Sequence, residues 1–575
     1  MIVEFLTIVV ILLIPLLLPP PAALSVRLFW RRLLAFVCRG GGSLMILTAA
    51  ILAVVLNLAF WSLFRFPHAT QIDEFAYLFA AETFVQGRLT NETHPLHESL
   101  TGAREQGFLI HEPTWQSKFP PGNSLFLAVG MLCGDPRIGL LLSAGLAFGG
   151  LCWMLQAVFP LRWAATGTLL ALLNWFLLVY FGNAMFNGYP AMFSGTLIFG
   201  ALFRIVRQPR LRDGILFGTG AVLLALTRPL EGLFTCLPAA AVLCWQVIGW
   251  RVSSEHRQAA LRKALLPAGM VVLAGLSWLG YYHYRITGSA FVMPYQVWLN
   301  QVGGQKFSEL VYSDGVFETS LKSNGNSLPQ AVLAVLKYRW QRVWVTLLTL
   351  LPPTFMVALL GVFRTRRDGV FWISTFTVLL VSGVVMMEQV NWYPSEYFAP
   401  IIGLLILLIT SGCRGLQRLP FGRRKTGTTL ACLLPMLLCL GFLEHARESV
   451  HVIGPMPEYV QRMAVIEQVL KEPGMHLVLV RYESRPDYNE DWVYNPPNVD
   501  EQLIVWAIEL EETANQKLRT YYSDRTVWLF QPQLPQAQLT MLGDVASTRI
   551  GSDGNLQAAA LPEDSQPELF TQSKE

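Results

Sequence analysis

The sequence predicts an all-α polytopic membrane protein of about 12 transmembrane helices, with a small extracytoplasmic α/β domain at its C-terminal end. Three observations predict it. Of 575 residues, 53% are hydrophobic and only 14% charged, where a soluble chain carries about 25% charged residues. Mean hydropathy is +0.42, and apolar runs of roughly 20 residues recur, enough to cross a hydrocarbon core of about 30 Å. After about residue 444 the pattern changes to short strand-like runs between polar stretches.

Twelve candidate spans follow in order: 2–23, 43–63, 136–158, 163–182, 190–206, 213–227, 231–250, 264–284, 343–363, 369–387, 398–412 and 427–443. The first is too long for a signal-peptide core. Its basic residues (Arg27, Arg31, Arg32, Arg39) follow it instead of preceding it, so it reads as a retained helix. Short arginine-rich loops at Arg27–Arg39, Arg204–Arg212, Arg251–Lys263, Arg364–Arg367 and Arg414–Lys425 alternate with the other loops. Cytoplasmic loops carry such an excess. Both termini are then expected outside the cytoplasm of a bacterial inner (plasma) membrane.

The domain plan is residues 1–443 for the polytopic part, with outer loops 64–135 and 285–342. A soluble α/β domain follows over 444–550, and a polar, disordered tail over 551–575. In the first outer loop, Asp73 to Gln86 reads as an interfacial helix stopped by Gly87. Pro120, Pro121 and Gly122 break the chain, and Ser124 to Cys133 is a second piece too short to span. In the C-terminal part, "MHLVLVRY" (Met475–Tyr482) reads as a buried strand and "TVWLF" (Thr526–Phe530) as another, with a helix between. Eight cysteines, all before Arg447 and without a C-x-x-C pair, indicate neither a zinc site nor a disulfide framework. The expected partner is the bilayer; no nucleic-acid partner is expected.

Chemistry-bearing residues gather at the outer membrane edge. Asp73 and Glu74 fit two roles. Acids in a first helical turn are favoured by its exposed N–H groups. Acids beside apolar surface are also suited to general-base work. Lys118 in "SKFPPG" reads as a snorkelling interfacial lysine or as a cation for a lipid-linked phosphate. Arg228 in "TRPLEG" has the same phosphate option, or a structural pair with Glu231. Tyr77, His283, Glu388, Tyr393 and Glu396 line a candidate substrate cavity. Most aromatic residues in "YYHYR" and "NWYPSEYFAP" also suit an ordinary interfacial belt.

These residues resemble the GT-C membrane glycosyltransferases, a group that includes protein O-mannosyltransferases and aminoarabinose transferases. "IDEFAYLFAAETFVQGRL" is similar to the acid-plus-aromatic opening of their first outer loop, and "SKFPPGNSLFL" to their Lys-Pro-Pro turn. "LTRPLEGL", "FVMPYQVW", "YFAP" and "HLVLVRY" are similar to an uncharacterised bacterial branch. The resemblance spans roughly residues 45–412. It implies a catalytic acid at Asp73 with Glu74 beside it, a donor-phosphate cation at Lys118 helped by Arg228, and an inverting transfer. The resemblance also implies a polyprenyl-phosphate-linked sugar as donor and an extracytoplasmic acceptor.

The chain departs from the family pattern at several points. Phe119 separates Lys118 from the prolines, and Ser117 stands where a metal-binding carboxylate often precedes the lysine. The next outer loop, "GNAMFNGYPAMF", offers Asn183 and Asn187 and no acid, and Glu396 stands where histidine is expected. No metal ligands and no certain cofactor are assigned; the resemblance leaves a divalent metal ion open. The alternatives are a transporter or flippase, or a non-catalytic member. Transporters place ionisable groups within their spans, whereas here the charges sit at the edge.

Overall fold

The computed structural model describes residues 2–64, 66–69, 71–101, 109–249, 252–301, 368–388, 394–418, 426–448, 457–483, 492–533 and 538–542, and a few positions between 330 and 362. Most of the expected 285–342 loop and 343–363 span, Arg364–Arg367, Tyr393, the Glu388 side chain and the 551–575 tail lie outside the described residues. The remainder divides into two units. One comprises 1–69, 76–92 and 110–454; the other comprises 70–75, 93–109 and 455–575.

The first unit is helical. Among the described residues, six helices are long and apolar enough to cross a membrane: Gly41–Leu63, Pro136–Gln156, Pro229–Ile248, Ser254–Thr287, Glu396–Leu416 and Thr426–Glu444. The chain is a multi-pass membrane protein. Helix Gly41–Leu63 shows why. Leu44, Leu47, Ile51, Val55 and Leu58 form an exposed apolar stripe, while Met45, Ala49, Ala53, Asn57 and Trp61 are buried. Both sets recur at three- and four-residue spacing, so each occupies one helix face. An apolar face turned outward is stable only against hydrocarbon. Helix Pro136–Gln156, apolar all round, is largely buried at the centre of the main hydrophobic cluster.

Two expected spans differ in form. The first is a bent pair: Val10–Leu17 and Pro20–Val37 meet at 110°. Pro19, Pro20 and Pro21 remove backbone donors and clash with the preceding turn, so a straight helix to Ala23 cannot form. The expected span 163–182 breaks after helix Leu161–Leu172 and resumes as the short π turn Phe176–Tyr180. At the break the Asn174 side chain accepts from the Leu177 amide at 3.0 Å, replacing a backbone partner.

Glycine sets two close approaches. A Cβ on Gly195 would meet the Pro400 carbonyl oxygen at 1.8 Å, so helix Gly188–Ile205 packs directly on the 3₁₀ turn Pro394–Ile401. A Cβ on Gly122 would meet the Leu226 carbonyl oxygen at 2.6 Å, which seats helix Gly122–Leu132 on the end of helix Leu211–Thr227.

The second unit is built on a four-stranded sheet. Its order is Ile504–Ile508, His476–Val480, Thr526–Gln531, Gln538–Leu542. The first three strands are parallel, with His476 opposite both Ile504 and Thr526; the last is antiparallel, with Val527 opposite Leu542. Strand His476–Val480 is buried throughout, as a central parallel strand must be. Helix Glu512–Tyr521 makes the crossover between two parallel strands. Val465 and Val469 of helix Pro457–Val469 join Trp492, Trp506 and Phe530 in the core.

Residues 93–101 are held on this sheet by hydrogen bonds. Asn495 exchanges two bonds with the Trp506 backbone, at 2.7 and 2.9 Å, and donates to the Leu100 carbonyl at 3.1 Å. His94 Nδ1 accepts from the Leu96 amide at 3.1 Å, so Nε2 carries the proton and donates to Asp500 Oδ1 at 3.2 Å. The Tyr522 and Tyr521 hydroxyls donate to the same carboxylate at 2.7 and 3.1 Å.

Burial pushes the His94 imidazole below its ordinary value, although Asp500 pulls it upward. Burial alone would raise Asp500, but the tyrosine hydroxyls and His94 outweigh it and hold it low. Both depressed values place stability on the alkaline side. The His94 contribution is full above its unfolded value near pH 6.5 and is lost as pH falls toward its lower folded value. Thermal unfolding in detergent should therefore weaken for wild type between about pH 7 and pH 5. His94→Gln should weaken less over that window; identical slopes would contradict the latch.

Candidate active site

Arg228 is the hinge between helices Leu211–Thr227 and Pro229–Ile248. Its extended backbone (φ −136°, ψ 78°) ends the first helix, and Pro229 opens the next with its φ already helical. The guanidinium is buried at this corner. Nη2 donates to Glu396 Oε2 at 2.6 Å, Nη1 reaches Glu231 Oε1 at 3.5 Å, and Nε donates to Asn187 Oδ1 at 2.9 Å. The guanidinium carbon also lies 4.5 Å from the centre of the Tyr397 ring. The 2.6 Å contact is a strong charge-assisted bond; the 3.5 Å one is marginal as a hydrogen bond and acts mainly through charge. Burial pulls the Arg228 value down, but Glu231 and Glu396 outweigh it and raise it, so the group is fixed as a cation.

Asn187 begins helix Gly188–Ile205 but makes no side-chain cap there. Its amide instead donates to the Thr227 carbonyl at 3.1 Å and to the Tyr77 hydroxyl at 3.4 Å while accepting from Arg228. That carbonyl is one of the last in its helix, which has no intrahelical partner. Asn187 thus does what an acid in this loop could not: it accepts from the arginine and donates twice.

Tyr77 continues the network. It belongs to helix Ile72–Val85, which packs through Tyr77 and Ala81 on Leu127 and Ala128 of helix Gly122–Leu132. The expected interfacial helix is thus largely buried. Tyr77 stacks on Phe119 with ring centres 4.7 Å apart. Beside Phe119, the Lys118 ammonium lies 4.9 Å from the Phe119 ring centre and 3.8 Å from that of Trp298. Lys118 is 8% exposed, so it does not snorkel into open solvent. Its backbone is fixed by short-range bonds. Gln116 donates to the Leu89 carbonyl at 2.7 Å and accepts from the Ser117 amide at 2.7 Å, and Ser117 Oγ accepts from the Phe119 amide at 3.2 Å. Asn123 anchors the following helix by donating to the Met185 carbonyl at 2.7 Å.

The structure therefore brings Tyr77, Lys118, Arg228 and Glu396 into one connected aromatic and polar network. His283 is not part of it; it lies within helix Leu266–Thr287, its carbonyl accepting from Thr287. Sequence reasoning set Asn187 aside for want of a carboxylate, and left Phe119, Trp298 and Tyr397 without roles. Trp298, in the "FVMPYQVW" phrase, was the legible signal.

Asp73 and Glu74 lie in the second unit, in segment 70–75. Glu74 is buried, and its Oε2 accepts the Gln71 amide at 3.0 Å. That is the capping-box arrangement, a third-position glutamate reaching back to the residue before its helix. Glu74 is held as a cap, and Asp73 beside it is half-buried. Ser117 replaces the expected carboxylate and is engaged by Phe119, and among the described residues no group of three His, Cys, Asp or Glu residues could hold an ion.

No family model matches the chain, and no curated protein matches it. Solved structures are similar, among them two membrane enzymes. ArnT from Cupriavidus metallidurans, bound to undecaprenyl phosphate, aligns over 88% of this chain and 100% of its own at 12% identity and a TM-score of 0.48. The oligosaccharyltransferase of Archaeoglobus fulgidus, in its apo form, aligns over 78% of this chain at 13% identity and a TM-score of 0.46. The chain spans 63% of that enzyme's length. Both scores lie below 0.5, too low to transfer a role to any residue.

The corner makes a direct prediction. Arg228→Gln takes the shared cation from buried Glu231 and half-buried Glu396, at a cost of about 3–5 kcal/mol. Thermal unfolding in detergent should show that loss, and Arg228→Gln combined with Glu396→Gln should recover part of it. A single variant as stable as wild type would remove the ion pairs from the account.

Proposed function

We propose that the protein is a glycosyltransferase of the GT-C type. It moves a sugar from a polyprenyl-phosphate-linked donor to an extracytoplasmic acceptor at the outer leaflet of a bacterial inner membrane. The full membrane part carries about 12 spans with both termini outside, as the arginine-rich loops favour, and the C-terminal α/β unit is extracytoplasmic. The observation that carries this reading is Lys118: a buried cation under the Trp298 and Phe119 rings, beside a Pro-Pro turn. Aromatic faces stabilise a desolvated ammonium by about 2 kcal/mol. Arg228, the other candidate cation, is already paired with Glu231 and Glu396, and its role is architectural.

In this mechanism Asp73 takes the proton of an acceptor hydroxyl. The oxygen attacks the anomeric carbon, the bond from that carbon to the phosphate oxygen breaks, and the electron pair leaves on the lipid phosphate. Lys118 stabilises that growing negative charge. A single displacement inverts the anomeric centre. Tyr77 shares a helix with Asp73, one turn further on.

Turnover of a lipid-linked sugar by purified protein tests the reading. Asp73→Asn keeps the shape and removes the base, so the rate should fall on the order of 10²–10⁴-fold at unchanged expression. Lys118→Gln should cost roughly 10- to 150-fold, through the loss of about 1.5–3 kcal/mol of charge-assisted bonding, and the loss should fall on the lipid-phosphate donor. Vectorial movement of the lipid without sugar transfer would favour a flippase instead.

A further inference from the structure

The second unit joins two stretches far apart in sequence: the 70–75 segment with its acids, and the chain beyond 455. The contact between them centres on Phe75, which directly follows Glu74 and is 8% exposed. One side of its ring stacks on Tyr494, with centres 4.7 Å apart and planes within 24°. The Arg462 guanidinium lies 5.6 Å from the Phe75 ring centre and 5.0 Å from that of Trp506, and donates to the Tyr494 carbonyl at 3.4 Å. Trp506 belongs to the edge strand Ile504–Ile508, where it stands opposite Val478 of the inner strand. Phe75 is thus gripped by an aromatic ring and a planar cation that are tied to each other and to the sheet.

The grip falls on a helix start, where backbone order is weakest because the first amides lack intrahelical partners. Here the Glu74 and Phe75 amides both donate to the Gln71 carbonyl, at 3.0 and 3.2 Å, and the Glu74 carboxylate closes the turn through the Gln71 amide. Asp73 sits inside this closed turn. Its carboxylate can be held in one place only if the turn is held.

We infer that Arg462 and Tyr494 are positioning residues: they clamp Phe75 and so fix the turn that presents Asp73. The inference rests on the proposed role of Asp73. Misplacing a reacting group by about 1 Å costs up to 10²-fold in rate. Tyr494→Ala and Arg462→Ala in the full-length protein should therefore lower kcat roughly 10- to 100-fold while leaving the KM for the lipid-linked donor unchanged. Tyr494→Phe, which keeps the stacking ring, should restore kcat.

Hydrogen exchange reads the clamp without using activity. In Tyr494→Ala the amides of Glu74 and Phe75 should exchange faster, while those of strand His476–Val480 stay protected; general unfolding would expose both. Wild-type kcat and wild-type exchange at Glu74 and Phe75, in a protein that Asp73→Asn inactivates, would overturn the positioning role alone. Full activity in Asp73→Asn would instead remove the catalytic role of Asp73, and the positioning role with it.

Discussion

One buried guanidinium organises the membrane unit. Arg228 stands where two helices meet and is tied to Glu231 on the second helix, Glu396 on the 3₁₀ turn Pro394–Ile401, and Asn187 at the start of helix Gly188–Ile205. Each of these ionised groups would be costly to bury alone, because a low-dielectric interior penalises unpaired charge by several kcal/mol. Together they compensate, and the compensation demands that all the segments arrive at once. Gly195 makes that arrival possible by letting the Pro400 backbone touch helix Gly188–Ile205. A methyl group there would push Glu396 away from its partner. Packing and electrostatics are in this sense a single constraint.

The same constraint separates two cations that the sequence presents as equals. Arg228 is committed to Glu231 and Glu396, so its charge is compensated within the corner and is poorly placed to attract a phosphate. Lys118 lies in different surroundings, under Trp298 and Phe119. Aromatic faces stabilise a cation placed over them. The two sites remain connected, since Phe119 stacks on Tyr77 and Tyr77 accepts from Asn187, which accepts from Arg228. A change in the corner can therefore reach Lys118 through packed groups.

Much of the fold was legible because membrane crossing imposes a crude rule, about 20 apolar residues per helix. The helix over Ile72–Val85, the break at Pro120-Pro121 and the strands around Leu477 and Trp528 followed from local pattern. The exceptions arose where local chemistry overrides hydropathy. Prolines 19 to 21 bend the first span, and Asn174 interrupts another. Strand Gln538–Leu542 escaped notice because it is short and, at a sheet edge, buries only Leu539. At the site, the sequence showed which residues carry charge but not which charges cancel. Glu396 is 168 positions from Arg228, and Phe75 and Tyr494 are farther apart still. No periodicity encodes such pairs. Asn187 was misjudged for a related reason: its value lies in donating and accepting together, which appears only with its partners in place.

The central claim is that the donor's phosphate lies against Lys118 and not against the Arg228 corner. A polyprenyl phosphate analogue with a photoreactive group next to the phosphate tests it directly, by irradiation of the purified full-length protein and mapping of labelled peptides by mass spectrometry. The label should fall on the stretches bearing Ser117–Gly122 and Pro294–Gln301, and excess unlabelled polyprenyl phosphate should suppress it. Suppressible label confined to the peptides carrying Arg228 and Glu396, with none around Lys118, would contradict the account.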